Sequence, residues 1–188
     1  MTSVFRRIET FSKEEVLHLI AENHKMLDED LTLIGRDLGT RGEKLWDLVG
    51  IDSKKRLSLI DVELRYTDKV LYQIVQRLDW VWEHMGNITK MYSPCEIDSD
   101  QMPRVLIVAP SYSPFFKKSI TYLTYRVKVD LFTYMYLKSS EGNGIFLEPL
   151  ETRVKHEQVL KSDGNDIKSL EVSHSIKVTT EEIMEFLH

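Results

Sequence analysis

The chain has 188 residues, 42% hydrophobic and 29% charged, with a net charge of −5; that is enough for one domain with a real core and is the balance of an ordinary globular protein. A single cysteine, Cys95, excludes an intrachain disulfide framework and permits a reducing compartment. The opening MTSVFRRIETFSKEE lacks the apolar core of a signal peptide, and no run approaches the roughly 18 apolar residues of a membrane span, so the expectation is a cytoplasmic chain with no membrane partner.

The excess acid lies in the tail. Residues 1–140 carry 20 basic and 20 acidic side chains, residues 141–188 carry 5 and 10. A negative total argues against indiscriminate nucleic-acid binding, because phosphate neutralisation supplies most non-specific affinity, but a neutral body leaves room for a basic face. Residues 1–140 read as one domain and 141–188 as an acidic C-terminal extension.

Ser12 and Glu15 form the S-x-x-E capping box, and Val16, Leu17, Leu19, Ile20 and Met26 or Leu27 follow at helical spacing, which predicts a helix from about 13 to 27. LTLIGRDL then reads as a short strand in which Leu31, Leu33 and Asp37 share a face and Gly35 marks a bulge or a close backbone approach. GTRGE is a turn. It leads into the strand LWDLVGI, a polar turn from Asp52 to Arg56, and the strand LSLIDVELR. In the last of these Leu57, Leu59, Asp61, Glu63 and Arg65 alternate with Ser58, Ile60, Val62 and Leu64; both faces stay largely apolar until Asp61, as in a central strand covered on both sides.

Asp68 is placed to cap the next helix, whose stripe is Val70, Leu71, Ile74, Val75, Leu78, Val81 and Trp82 and whose end is expected near Gly86. Residues 87–103 read as a long loop, RVLIVAP as a fully buried strand, Ser113 to Leu123 as a helix and KVDLFTYMYL as a further strand. Beyond Gly144 the expectation is a strand from Ile145 to Leu150, a polar stretch, and a closing helix near 180–187. Strand-like pieces in such a tail often find partners, which leaves a homodimer open.

Asp47 in mid-run and Glu63 at a strand end are carboxylates where apolar strands rarely tolerate them. Burying each costs several kcal/mol, on the order usual for an unpaired charge, unless a cation or a basic partner compensates it. Two such oxygens from adjacent strands, with the carbonyl of Leu64 between them, make a half-shell suited to Mg²⁺ that leaves positions for water and a phosphate. The structural alternative is an ion-pair cluster in which Arg65 neutralises Asp47, Asp61 or Glu63 with no metal present. Asp61 shares the face of Glu63 and reads as a residue near the solvent end or as a further ligand. The six histidines have no ligand spacing, and Cys95 has no histidine nearby, so neither a zinc site nor a thiol nucleophile is expected. Trp46, Trp80 and Trp82 fall in apolar stripes and read as core.

The order helix, three strands, helix, strand, helix, strand, with Asp47, the run Glu63-Leu64-Arg65, Gln73 and the lead-in GRDL…GTRGE, resembles the restriction-endonuclease-like superfamily of the PD-(D/E)xK signature over roughly residues 12–138. Within it the run is similar to uncharacterised members and to mismatch-cleaving nucleases. The resemblance implies an α/β fold with a mixed central sheet flanked by helices, and a Mg²⁺-dependent (or Mn²⁺-dependent) endonuclease acting on DNA or another nucleic acid. Its implied residues are Asp47 and Glu63 as metal ligands and Arg65 on the phosphate. Gln73 would orient the phosphate or the water, and Glu15 or Glu14 would assist the metal. Arg41, Lys117 and Lys118 are the basic residues expected to touch nucleic acid. Two positions depart from the pattern: Arg65 stands where the family has lysine, and Arg77 stands where related nucleases often have an aromatic residue four positions after Gln73. Arginine stays protonated and cannot act as a base, though it holds a phosphate well. The alternative to an active nuclease is therefore a degenerate member that binds nucleic acid or a protein without hydrolysis.

Overall fold

The computed structural model describes residues 6–7, 11–65, 69–123, 127–140 and 142–150, all within one compact unit, Met1–Val154. The predicted cap of α1 is present: the Ser12 hydroxyl accepts from the Glu15 N–H and the Glu15 carboxylate accepts from the Ser12 N–H at 2.8 Å. Helix α1, Lys13–Glu22, stops there, short of residue 27, and a single 3₁₀ turn, His24–Met26, carries the chain on.

Strands β2 (Thr32–Gly39), β3 (Lys44–Ile51) and β4 (Leu57–Val62) form an antiparallel meander. Helices α2 (Lys69–Glu83) and α3 (Met85–Met91) and a 3₁₀ turn, Ser93–Cys95, precede β5 (Arg104–Ala109). Helix α4 (Pro114–Leu123) then leads to β6 (Val129–Ser139) and β7 (Gly142–Leu150). With the short β1 (Arg6–Arg7), the described strands make one sheet in the order β1-β6-β5-β4-β3-β2, β7 lying antiparallel on β6. Only the β4–β5 and β5–β6 pairs are parallel, each joined through helices as parallel strands require. This is the mixed sheet flanked by helices that the sequence implied, and it continues through Leu150, past the expected boundary at residue 140.

Every residue of β4 and β5 is buried because helices cover both faces. On one face Trp46, Leu57, Leu59 and Ile107 pack under Val70, Ile74 and Val81 of α2, Ile88 of α3 and Phe116 of α4. On the other, Leu48, Ile60, Val62 and Val108 pack under Val16, Leu17 and Ile20 of α1. Val75 and Trp82, expected in the buried stripe of α2, are exposed.

Gly35 satisfies both readings of it. The β2–β3 register shifts between Leu33 and Gly35, and a Cβ at Gly35 would stand 2.4 Å from the Tyr92 hydroxyl. Leu38 packs in the core on the face opposite Leu31 and Leu33, while Asp37 is exposed and takes a left-handed φ of 55°. Gly86 does not end the helical region: α2 stops before His84 and α3 starts at Met85, so the stretch expected to be a loop is helical to Met91. Asp68 and the closing helix near 180–187 lie outside the described residues. At the far end of β5 from Ala109, Arg104 is 4% exposed and held by Asp28 and by Asp130 at 2.6 Å. Among the described residues, no helix is long and apolar enough to cross a membrane.

Candidate active site

The β3–β4 ladder begins at Leu48↔Ile60, so Asp47 stands just outside its last pair. There its side chain takes over the missing ladder bond, accepting from the Val62 N–H at 2.7 Å. The residue is 2% exposed. Two ammonium groups reach it: Lys13 of α1 lies 2.9 Å from Oδ2 and Lys44 of β3 lies 3.2 Å from Oδ1. Lys44 also meets the exposed Asp37 at 2.5 Å. Burial of its ammonium works against the charge, yet the hydrogen bonds to Asp37 and Asp47 hold Lys44 above the usual lysine range.

Of the two sequence readings of Asp61, the solvent-end residue does not hold: its side chain is buried, 3% exposed. Its Oδ1 lies 3.2 Å from Arg77 Nη1 of α2, and the Arg77 guanidinium sits 5.9 Å over the Trp46 ring. The contact is ionic without hydrogen-bond geometry: Asp61 Oδ2, Arg77 Nη1 and Trp46 Nε1 are all buried with no hydrogen-bond partner. Burial pushes the Asp61 carboxyl up to about 7, with Arg77 opposing and the charges of Asp47 and Glu63 adding to the rise.

Glu63 follows the end of β4, yet its backbone stays fixed. Its N–H donates to the Val108 carbonyl at 2.8 Å, and its own carbonyl accepts from the Tyr134 hydroxyl at 3.3 Å. Burial raises the Glu63 carboxyl above its ordinary value; Lys13 and Arg77 pull it down and Asp47 pushes it up. The Tyr134 phenol is pushed up to about 12 by burial and by the charge of Glu63. Asp47, Asp61 and Glu63 thus form one electrostatic cluster where β3 leaves β4.

The other expected residues lie differently. Arg65 is exposed and makes no ion pair with these acids among the described residues. Gln73 is half-buried on α2, one turn before Arg77 on the same side of the helix. The Glu15 carboxylate is turned to Ser12 in the cap, not to Asp47, and Glu14 pairs with Arg36 at 3.7 Å. Arg41 is exposed in the β2–β3 turn, and Lys117 and Lys118 are exposed on α4. Sequence reasoning missed Lys13, Lys44 and the role of Arg77. One signal was available for Lys13: a lysine in the first turn of a helix opposes the helix dipole, and that mismatch points to a tertiary anion.

Among the described residues no group of three or more His, Cys, Asp or Glu side chains is arranged as a ready-made metal centre. The donor set nevertheless suits a hard cation. It is all oxygen, one buried Asp61 oxygen has no partner, and Mg²⁺ commonly takes only one or two carboxylates and keeps its waters.

No protein-family model matches the chain, and no curated protein does either. Among solved structures it is similar to a repair endonuclease from Pyrococcus abyssi, with 21% identity over 64% of this chain and 46% of that one, at a TM-score of 0.42. It is also similar to EndoMS in a dsDNA complex (19% identity, 64% of this chain and 44% of that one, TM-score 0.44) and to EndoMS in apo form (19%, 65% and 47%, TM-score 0.41). The likeness is one of fold. The chain spans less than half the length of each of these structures.

Proposed function

We propose that this chain hydrolyses phosphodiester bonds in DNA with Mg²⁺ or Mn²⁺ held by Asp47 and Glu63. The observation that carries the reading is the clustering of three carboxylates, two of them almost fully buried, at one strand junction. Packing alone gives no reason for it, since each buried acid raises the cost of the next. DNA is the substrate class that the sequence resemblance implies.

A bound divalent ion would acidify water and neutralise charge on the phosphate. The chain's own residues do the rest. The Asp47 carboxylate is fixed by the Val62 N–H, and the backbone from which the Glu63 carboxylate projects is fixed by its bonds to Val108 and Tyr134. Arg77 holds Asp61 from the helix side. In the reaction water adds to phosphorus, the bond from phosphorus to the departing sugar oxygen breaks, and that oxygen takes up a proton.

A second reading, binding without hydrolysis, is favoured by one observation: both oxygens of Asp47 are already engaged by lysines. Incubation of duplex DNA with the full chain in Mg²⁺ and in Mn²⁺ separates the two. The nuclease reading expects cleavage that Asp47→Asn slows by more than about 100-fold, the scale on which losing a group at the reacting centre is felt. No cleavage with either metal leaves the binding reading.

A further inference from the structure

Three cations reach the acid cluster, and they differ in what they have left to give. Arg77 is 18% exposed, lies over Trp46 and is committed to Asp61. Lys44 is held between two carboxylates, Asp37 and Asp47. Lys13 has a single ion-pair partner among the described residues, Asp47, and its side chain is 38% exposed. An ammonium has three donors, so one contact leaves two for a ligand arriving from solvent.

The charge of Lys13 also bears on Glu63 and Asp61, lowering both carboxyls. Lys13 and Lys44 are about equally open to solvent, 38% and 37%, but among the described residues Lys44 is shared by two carboxylates and Lys13 is paired with one. Its backbone is fixed by the capping box immediately before it. Arg65, by contrast, is exposed and turned to none of the acids.

We propose that Lys13 of α1, and not Arg65, is the residue that meets the nucleic-acid phosphate at the Asp47–Glu63 cluster. The proposal rests on the nucleic-acid reading given above, and places the lysine missing from position 65 on another element. Lysine suits the place because its compact charge bridges a carboxylate and a phosphate oxygen without the planar fork that arginine must satisfy.

Two measurements on the full chain test it. The first is affinity for a fluorescent duplex in EDTA, where nothing is cut, across a salt series. Each phosphate contact contributes about 0.9 to the slope of log affinity against log salt. Lys13→Met should lower that slope by about one and weaken binding to all sequences alike, while Lys90→Met on α3, which removes the same charge elsewhere, should leave it unchanged. Lys13→Gln serves as the second variant if the methionine form does not fold. The second measurement is the cleavage rate in Mg²⁺ or Mn²⁺, where Lys13→Met should lose more than about 100-fold.

An unchanged slope and rate in both Lys13 variants overturns the proposal and leaves the nuclease reading standing if the wild type cuts. So does a loss carried by Arg65→Ala in place of Lys13. A slope lowered by the Lys13 substitutions, with a wild type that never cuts DNA, refutes hydrolysis and supports the phosphate contact. A wild type that binds no duplex refutes both.

Discussion

Asp61→Asn replaces a buried carboxyl with its near-isostere and gives the most quantitative test of the cluster. The Asp61 carboxyl, ordinarily at 3.8, is pushed by burial to about 7 in the folded chain. The unfolded chain thus loses this proton near 3.8, whereas the folded chain keeps it until near 7. Between those values the folded state binds more protons, so the contribution is fully present below the unfolded value and is lost as pH rises through the folded one, at about 1.4 kcal/mol per pH unit. The amide does not titrate. Relative to wild type, D61N should therefore gain about 3 kcal/mol between about pH 5 and about pH 8, most of it accumulated below 7. Urea unfolding in EDTA at the two pH values, with m unchanged between the proteins, reads this directly. A difference that stays flat, or a wild type that gains on D61N as pH rises, would mean that Asp61 is ionised and satisfied by Arg77 throughout, and would refute the electrostatic account of the cluster.

Other outcomes follow from the packing. Arg104→Met removes the cation shared by the partly exposed Asp28 and Asp130, leaving Asp130 with Lys128 alone among the described residues, and should cost about 1.5–3 kcal/mol in denaturant unfolding. Although its partial burial works the other way, hydrogen bonds from Arg104 and the Asp30 N–H hold Asp28 below its ordinary 3.8. Its stabilisation is thus present above that value and lost as pH falls through the depressed one, and R104M should flatten this acid limb. Gly35→Ala drives a Cβ into Tyr92 and should cost about 1–3 kcal/mol, a loss that Tyr92→Ala in the same chain partly relieves in a double-mutant cycle. Ser12→Ala removes the cap of α1 and should cost about 1 kcal/mol by thermal unfolding.

Much of the fold is legible locally. The continuous apolar runs of LSLIDV and RVLIVA announce strands covered on both faces, and the Ser12–Glu15 box announces α1, because each signal is complete within a few residues. What local pattern does not carry is register and partnership. The register slips at Gly35 and Asp37 takes a left-handed φ, and an alternation rule has no means of placing either. Gly86 resembles a helix stop, yet the break falls at His84, whose carbonyl receives the N–H groups of Asn87 and Ile88 and starts α3 afresh. Arg104 looks like a polar residue at the mouth of a strand until Asp28 and Asp130 arrive from elsewhere in the chain.

The site divides in the same way. Asp47 and Glu63 stand out because carboxylates in apolar strands are costly, a property of the sequence itself. Two of their cations, Lys13 and Arg77, come from other elements; Lys44 stands on the strand of Asp47 itself, and Arg65, two residues after Glu63, is not among them. Glu15, equally acidic and equally placed on α1, is consumed by the cap, while its neighbour Lys13 reaches the cluster. Which of these two residues, two positions apart on α1, turns toward the sheet depends on how α1 is seated against it.

The proposed chemistry depends most on Asp47 and Glu63 acting together as a cation site. Titration of the full chain with Mn²⁺, followed by the loss of its free-ion EPR signal and by competition with Mg²⁺, tests this without reference to any substrate. One saturable site that Mg²⁺ displaces, and that both Asp47→Ala and Glu63→Gln abolish, is the predicted result. Absence of saturable binding in the wild type, or a site that survives both substitutions, would contradict it.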